Sequence, residues 1–166
     1  MISNELKSKA GKIKLVVTDI DGVWTDAKMY YTGTGEFMKA FSTYDGIATS
    51  LLSEAGIPTA IITGEKSPAV AARAKKLKLK DVFLGIDDKL TVFEILLDKY
   101  KLTPDQVAYI GDDVNDYTVM QVAGLTASPS SSPAFHLLKP DILLDRVGGD
   151  GAFREFADII LASQDQ

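Results

Sequence analysis

The sequence predicts an α/β fold of the doubly wound kind, a parallel sheet sandwiched between two layers of helices, and three observations carry that expectation. Short apolar runs at 13–17, 58–63, 82–84 and 107–110 alternate with segments of helical length, the pattern of successive βαβ units. The first of these runs is apolar throughout instead of alternating, as a strand buried on both faces requires. Three runs stop in acids, a hydroxyl or glycine: Asp19-Ile20-Asp21-Gly22, Thr63-Gly64 and Gly111-Asp112-Asp113. In an open parallel sheet, ligands bind at the carboxyl ends of the strands.

Taken in order, residues 1–12 read as a short helical lead-in, followed by the first strand. Residues 27–41 read as a β-hairpin insertion. Met29, Tyr30 and Tyr31 on one side and Phe37, Met38 and Phe41 on the other flank the turn Thr32-Gly33-Thr34-Gly35. Its large apolar side chains lie outside the strand–helix alternation, which favours an exposed patch covered by another subunit over a core of its own. Tyr44-Asp45-Gly46 opens a helix running to about Ala55, with Gly56 as its stop. After the second strand, Ser67-Pro68 supplies a capping hydroxyl and a first-turn proline for a helix carrying Arg73, Lys75 and Lys76. The third strand precedes a helix from about Lys89 to Tyr100, capped by Asp87 or Asp88. Thr103-Pro104 turns the chain into the fourth strand, and a helix over about 114–122 stops near Gly124. Residues 125–127 and 142–144 are short late strands separated by a Ser/Pro-rich loop, 128–133. A glycine-rich tail, 146–154, leads into a last helix ending near Ala162. No repeat or linker interrupts this order, so residues 1–166 read as one domain with right-handed crossovers.

Composition narrows the function classes. The chain has 166 residues, 46% of them hydrophobic and 25% charged, ordinary for a globular protein with a sizeable core. A net charge of −5 argues against a nucleic-acid surface as its main business. With no cysteine, disulfides, thiolate metal sites and thiol nucleophiles are excluded, and the single His136 cannot build a multi-histidine zinc site. No apolar run is long enough to span a membrane, and the polar, lysine-rich first residues lack a signal core, so a cytoplasmic protein is expected.

The candidate chemistry gathers at the strand ends. Asp19 and Asp21 follow the first strand, and Asp112, Asp113 and Asp116 follow the fourth. If those strands are neighbours at the point where strand order reverses, Asp19, Asp21 and Asp112 converge in one crevice. Carboxylates that close repel unless a cation neutralises them, and Mg²⁺ prefers such oxygen donors. Asp113 and Asp116 equally suit the first turn of a helix, where negative charge is favourable. Thr63-Gly64 offers a hydroxyl and free N–H groups, suited to a phosphoryl oxygen or to a plain turn. Lys89 stands at the helix end that disfavours a cation. Either it reaches the acids or a phosphate, or it is an ordinary surface lysine.

The ordered set Asp-x-Asp, Thr, Lys, Gly-Asp-Asp-x-x-Asp resembles the haloacid dehalogenase superfamily of phosphotransferases. Asp19-Ile20-Asp21-Gly22-Val23 matches its first motif, Thr63 its second, Lys89 its third and Gly111-Asp112-Asp113 its fourth. The resemblance implies a Rossmann-like three-layer core and hydrolysis in two steps. Asp19 would be the nucleophile that forms an aspartyl-phosphate, and Asp21 the general acid and then base. Asp19, the Asp21 carbonyl and Asp112 would hold Mg²⁺. Thr63, Gly64 and Lys89 would bind the phosphoryl oxygens, with Asp113 and Asp116 supporting.

The gaps between motifs leave room for the hairpin but not for a cap domain. Chain length, the hairpin after Val23-Trp24-Thr25-Asp26, Asp45-Gly46 and the tail Gly148-Gly149-Asp150-Gly151-Ala152-Phe153-Arg154-Glu155 resemble the 3-deoxy-D-manno-octulosonate 8-phosphate phosphatases. That family implies a phosphorylated 2-keto-3-deoxy sugar acid as substrate, a role in lipopolysaccharide synthesis, and homotetramers whose hairpins form a central barrel. Lys66, Arg73, Lys76, Arg146 and Arg154 are candidates to meet the substrate carboxylate. Glu65 stands where the eight-carbon branch typically carries arginine. With Lys76 it is more similar to the branch acting on 2-keto-3-deoxynononate 9-phosphate. A receiver-type signalling module is the first rival, but Leu84-Gly85 stands where its acceptor aspartate should be. An inactive oligomeric scaffold is the second, disfavoured because every expected catalytic position is filled.

Overall fold

The computed structural model describes residues 3–164. Met1 and Ile2, the start of the predicted lead-in, lie outside the described residues. The elements in chain order are α1 (Asn4–Ala10), β1 (Leu15–Thr18), β2 (Tyr30–Thr32), β3 (Gly35–Met38), α2 (Thr43–Glu54), β4 (Thr59–Thr63), α3 (Pro68–Lys76), β5 (Asp81–Leu84), α4 (Lys89–Tyr100), β6 (Val107–Ile110), α5 (Tyr117–Met120), β7 (Leu125–Ser128), α6 (Phe135–Leu138), β8 (Ile142–Leu143) and α7 (Ala152–Leu161).

Six of the strands make one parallel sheet in the order β5-β4-β1-β6-β7-β8, and β2 and β3 pair apart from it as the antiparallel hairpin. Thus β1 lies between β4 and β6, in register Val17 with Ala60 on one side and Tyr109 on the other. From β1 the chain first builds outward through β4 and β5, then crosses back to β6, so strand order reverses beside β1. That reversal opens a crevice at the carboxyl end of β1, as predicted.

Alternation along the strands divides the core in two. Leu15, Val17, Ala60, Ile62, Val107 and Tyr109 face one side, where α4, α5 and α6 pack with Val92, Phe93, Leu96, Val119 and Leu138. Val16, Ile61, Ala108 and Ile110 face the other, against α2, α3 and α7. Both faces are dry, which is why these strands read as continuous apolar runs. On the second side Trp24 and Phe153 are fully buried, with ring centroids 5.0 Å apart. Burying side chains of this size stabilises the fold by about 2–3 kcal/mol each. The Trp24 indole N–H donates to the Thr18 hydroxyl at 3.0 Å, so the aromatic pair also anchors the end of β1.

The helix starts follow the capping residues. Ser42, Ser67 and Asp88 accept N–H groups at the heads of α2, α3 and α4. Two elements depart from expectation. The helix predicted over about 114–122 is a 3₁₀ turn, Val114–Asp116, and the single α-turn α5. The Asp116 carboxylate folds back onto the N–H groups of Asp112 and Asp113, tightening the first turn. In addition, α6 forms between β7 and β8, where the sequence suggested no helix. No helix among the described residues is long and apolar enough to cross a membrane.

Candidate active site

The crevice at the end of β1 is built from strand-end side chains. Asp19, Asp21, Thr63, Gly64, Glu65, Asp112 and Asp113 line a cleft of about 250 Å³, together with Ala27, Met29 and Asn115. The first residue after β1 is Asp19, β4 ends in Thr63, and the turn after β6 supplies Asp112. Gly22 lets the two sides close. Its φ is +86°, and a side chain there would overlap the Asp112 carboxylate.

Behind the cleft wall lies a buried charge cluster. Carboxylate oxygens of Asp19, Asp112 and Asp116 all fall within 4.8 Å of one another. Lys89, itself buried, reaches Asp19 Oδ2 at 3.1 Å and Asp116 Oδ1 at 2.7 Å. This resolves the alternatives for two residues. Lys89 is not a surface lysine, and Asp116 is more than a first-turn acid. Besides Lys89, Asp116 accepts the Tyr109 hydroxyl and the N–H groups of Asp112 and Asp113. Asp113 caps the Val114 N–H, and the bond to Lys89 is made by Asp116, so Asp116, not Asp113, orients Lys89.

The electrostatics show excess negative charge. Burial, aided by the Asp116 charge and opposed by Lys89, pushes Asp19 up to about 7. Burial and the charges of Asp19, Asp116 and Asp113 push Asp112 up to about 8. Lys89 is held above the usual lysine range: burial works against its charge, but Asp19 and Asp116 outweigh it. One lysine against three buried carboxylates leaves the cluster short of positive charge. Asp116 has its oxygens occupied by hydrogen bonds, whereas none holds the Asp112 carboxylate among the described residues. An all-oxygen donor set with surplus negative charge fits a hard divalent cation, with Asp112 as its unoccupied carboxylate and Asp19, held by Ile20 and Lys89, beside it.

The remaining predicted site residues fall elsewhere in the single chain. Arg73 turns to α2, donating to the Ser42 carbonyl at 3.2 Å and lying against Gly46 and Phe41. Arg146 and Arg154 line a separate, larger cleft of about 1010 Å³ with Lys7, Tyr44 and Asp158. Lys66 lies over Gly85, and Lys76 is exposed on α3. The cleft of one chain therefore brings none of these five cations to the acids; Glu65 alone of the predicted substrate residues lines it. Their basic type identified them, but basic type does not encode direction.

Three contacts went unread in the sequence. Tyr109 bonds Asp116 from inside the sheet, Ser132 donates to the Asp112 carbonyl, and Lys39 from the hairpin bonds Asp21.

Residues 36–124 match the family model described as haloacid dehalogenase-like hydrolase. Along 163 residues the chain is 35% identical to 3-deoxy-D-manno-octulosonate 8-phosphate phosphatase KdsC of Salmonella typhi, covering 98% of this chain and 87% of that one. The crystal structure of the corresponding phosphatase from Yersinia pestis superposes with a TM-score of 0.95 at 36% identity, over 99% of this chain and 89% of that one. The Moraxella catarrhalis phosphatase, solved with magnesium, phosphate and KDO, gives a TM-score of 0.93 at 37% identity, over 99% and 94% of the two chains.

Proposed function

The chain belongs to the haloacid dehalogenase-like hydrolases and is a phosphatase, and on that premise we propose that it hydrolyses the phosphate ester of a 2-keto-3-deoxy sugar acid with Mg²⁺ as cofactor. The observation that carries the proposal is the buried cluster of Asp19, Asp112, Asp116 and Lys89, opening on a cleft beside Thr63 and Gly64.

Asp19 is the nucleophile. Its oxygen attacks phosphorus, the bond from phosphorus to the sugar oxygen breaks, and an aspartyl-phosphate forms. Asp21 gives its proton to the departing alcohol. It then takes a proton from the water that releases inorganic phosphate and restores Asp19. Thr63, the Gly64 N–H and Lys89 bind the phosphoryl oxygens. Asp19, the Asp21 carbonyl and Asp112 hold the cation, which when bound offsets the charge of the phosphoryl group. Lys89 neutralises Asp19 on one side and is kept in place by Asp116.

The relatives act on the eight-carbon substrate, and whole-chain similarity favours it here. Glu65 in the cleft favours a second reading, the nine-carbon acid. The exposed hairpin supports assembly as a homotetramer in which a neighbour helps close the open cleft.

The test is phosphate release with Mg²⁺ from the eight-carbon and nine-carbon keto-acid phosphates side by side, with Asp19→Asn as control. Release abolished by Asp19→Asn is the expected result, and the preferred substrate decides whether Glu65 selects. Absence of Mg²⁺-dependent release from both compounds would overturn the substrate class.

A further inference from the structure

Asp19 is fixed by the Ile20 N–H at 2.7 Å and by Lys89, but Asp21 has a different support. Among the described residues the one donor to the Asp21 carboxylate is Lys39, at 2.5 Å, from the foot of the hairpin just after β3. The Lys39 side chain is completely enclosed, and its ammonium also lies 3.0 Å from Glu36. The second Glu36 oxygen accepts the Ser67 hydroxyl, and Ser67 caps the head of α3. Three contacts in series therefore run from the loop after β1, through the hairpin, to the loop after β4. Both loops line the cleft. Enclosing an ammonium is costly unless paired charges meet it from more than one side, and here they do.

We propose that Lys39 is a positioning residue for the reaction: bonded to Asp21 and braced by Glu36 and Ser67, it aims the Asp21 carboxyl at the leaving oxygen of the substrate. The assignment rests on the phosphatase chemistry above. It makes the hairpin a structural part of proton delivery, separate from any part it plays in assembly. In the step concerned, the bond from Asp19 to phosphorus forms, the bond from phosphorus to the alcohol oxygen breaks, and the Asp21 proton passes to that oxygen. An alkyl alcohol needs this proton, whereas p-nitrophenolate departs without it. Misplacing Asp21 therefore slows one ester more than the other.

The experiment compares kcat and KM for the preferred sugar-acid phosphate and for p-nitrophenyl phosphate in the unaltered protein, Lys39→Met, Lys39→Arg and Glu36→Gln. For Lys39→Met the alkyl-to-aryl ratio of kcat/KM, which covers the steps up to alcohol departure and leaves out the shared attack of water, is expected to fall about tenfold or more. Lys39→Arg should recover part of the ratio. Glu36→Gln keeps the bond to Asp21 but loosens its brace, so it should show the same split at smaller amplitude, and it serves as the decisive variant if Lys39→Met does not fold. Equal loss of kcat/KM on both esters, or an unchanged ratio in both Lys39→Met and Glu36→Gln, overturns the positioning role and leaves Lys39 as a tether of the hairpin. Failure of the unaltered protein to hydrolyse either ester strikes instead at the phosphatase chemistry on which the assignment stands.

Discussion

At the scale of single residues, the acid cluster makes cation binding a proton-linked event. Asp19 stands near 7 and Asp112 near 8 because burial and mutual repulsion favour their protonated forms. A cation takes the deprotonated forms, so Mg²⁺ affinity should tighten as pH rises from about 6 to about 9 and level off above. Calorimetry in two buffers of different ionisation enthalpy should register proton release across that window, and Asp112→Asn should reduce it; affinity independent of pH would contradict this. The same shifts act on stability with the opposite sign. A folded carboxyl raised above its unfolded value near 4 binds more protons folded than unfolded, so the metal-free protein loses stability as pH climbs from about 4 to 8. Asp19, Asp21 and Asp112 were legible from sequence because each follows a buried strand and a turn. The partnership of Asp116 with Tyr109 was not, since a strand residue's facing partner appears only once the helix lies over it.

Among the elements, the glycine-rich tail is a brace for the loop that follows β1. The Gly149 N–H bonds the Val23 carbonyl at 3.0 Å, and the Gly148 N–H bonds the Ser131 hydroxyl at 2.9 Å. A side chain at Gly148 would run into the backbone of Gly22 and Thr25. Gly148→Ala should therefore cost about 1–3 kcal/mol in thermal or denaturant unfolding and lower kcat by displacing the Asp19–Asp21 loop. Unchanged stability and rate together would remove the brace. The next helix is tied down the same way: buried Asp45 accepts the Arg154 N–H at 2.9 Å, so α2 supplies the cap that α7 lacks. The Ser67 and Asp88 caps could be read locally, because a cap and its helix are neighbours in sequence. The Asp45 cap could not, since its partner Arg154 is 109 residues away. The shortened helix after Asp113 was missed for a related reason: its first turn is spent on holding Asp116.

For the whole molecule, the parallel sheet and its reversal beside β1 were legible because strands buried on both faces leave continuous apolar runs. What covers the hairpin was not, since nothing among the described residues of one chain packs on its outer side chains. Tyr31 is 63% exposed and Phe37 70%, a poor arrangement for a lone chain in water. Sedimentation should show a multimer, and Tyr31→Glu with Phe37→Glu should dissociate it; a monomer at micromolar concentration in the unaltered protein would refute the assembly. Finally, the chain carries a single tryptophan. Trp24 sits with one face on the α7 core and its N–H on Thr18, whose hydroxyl bonds the Asp19 carbonyl at 2.6 Å. The protein thus has a built-in chromophore at the joint between its interior and its reactive loop. Its emission reports in one optical channel both the loss of the fold and any shift of that loop when a ligand enters.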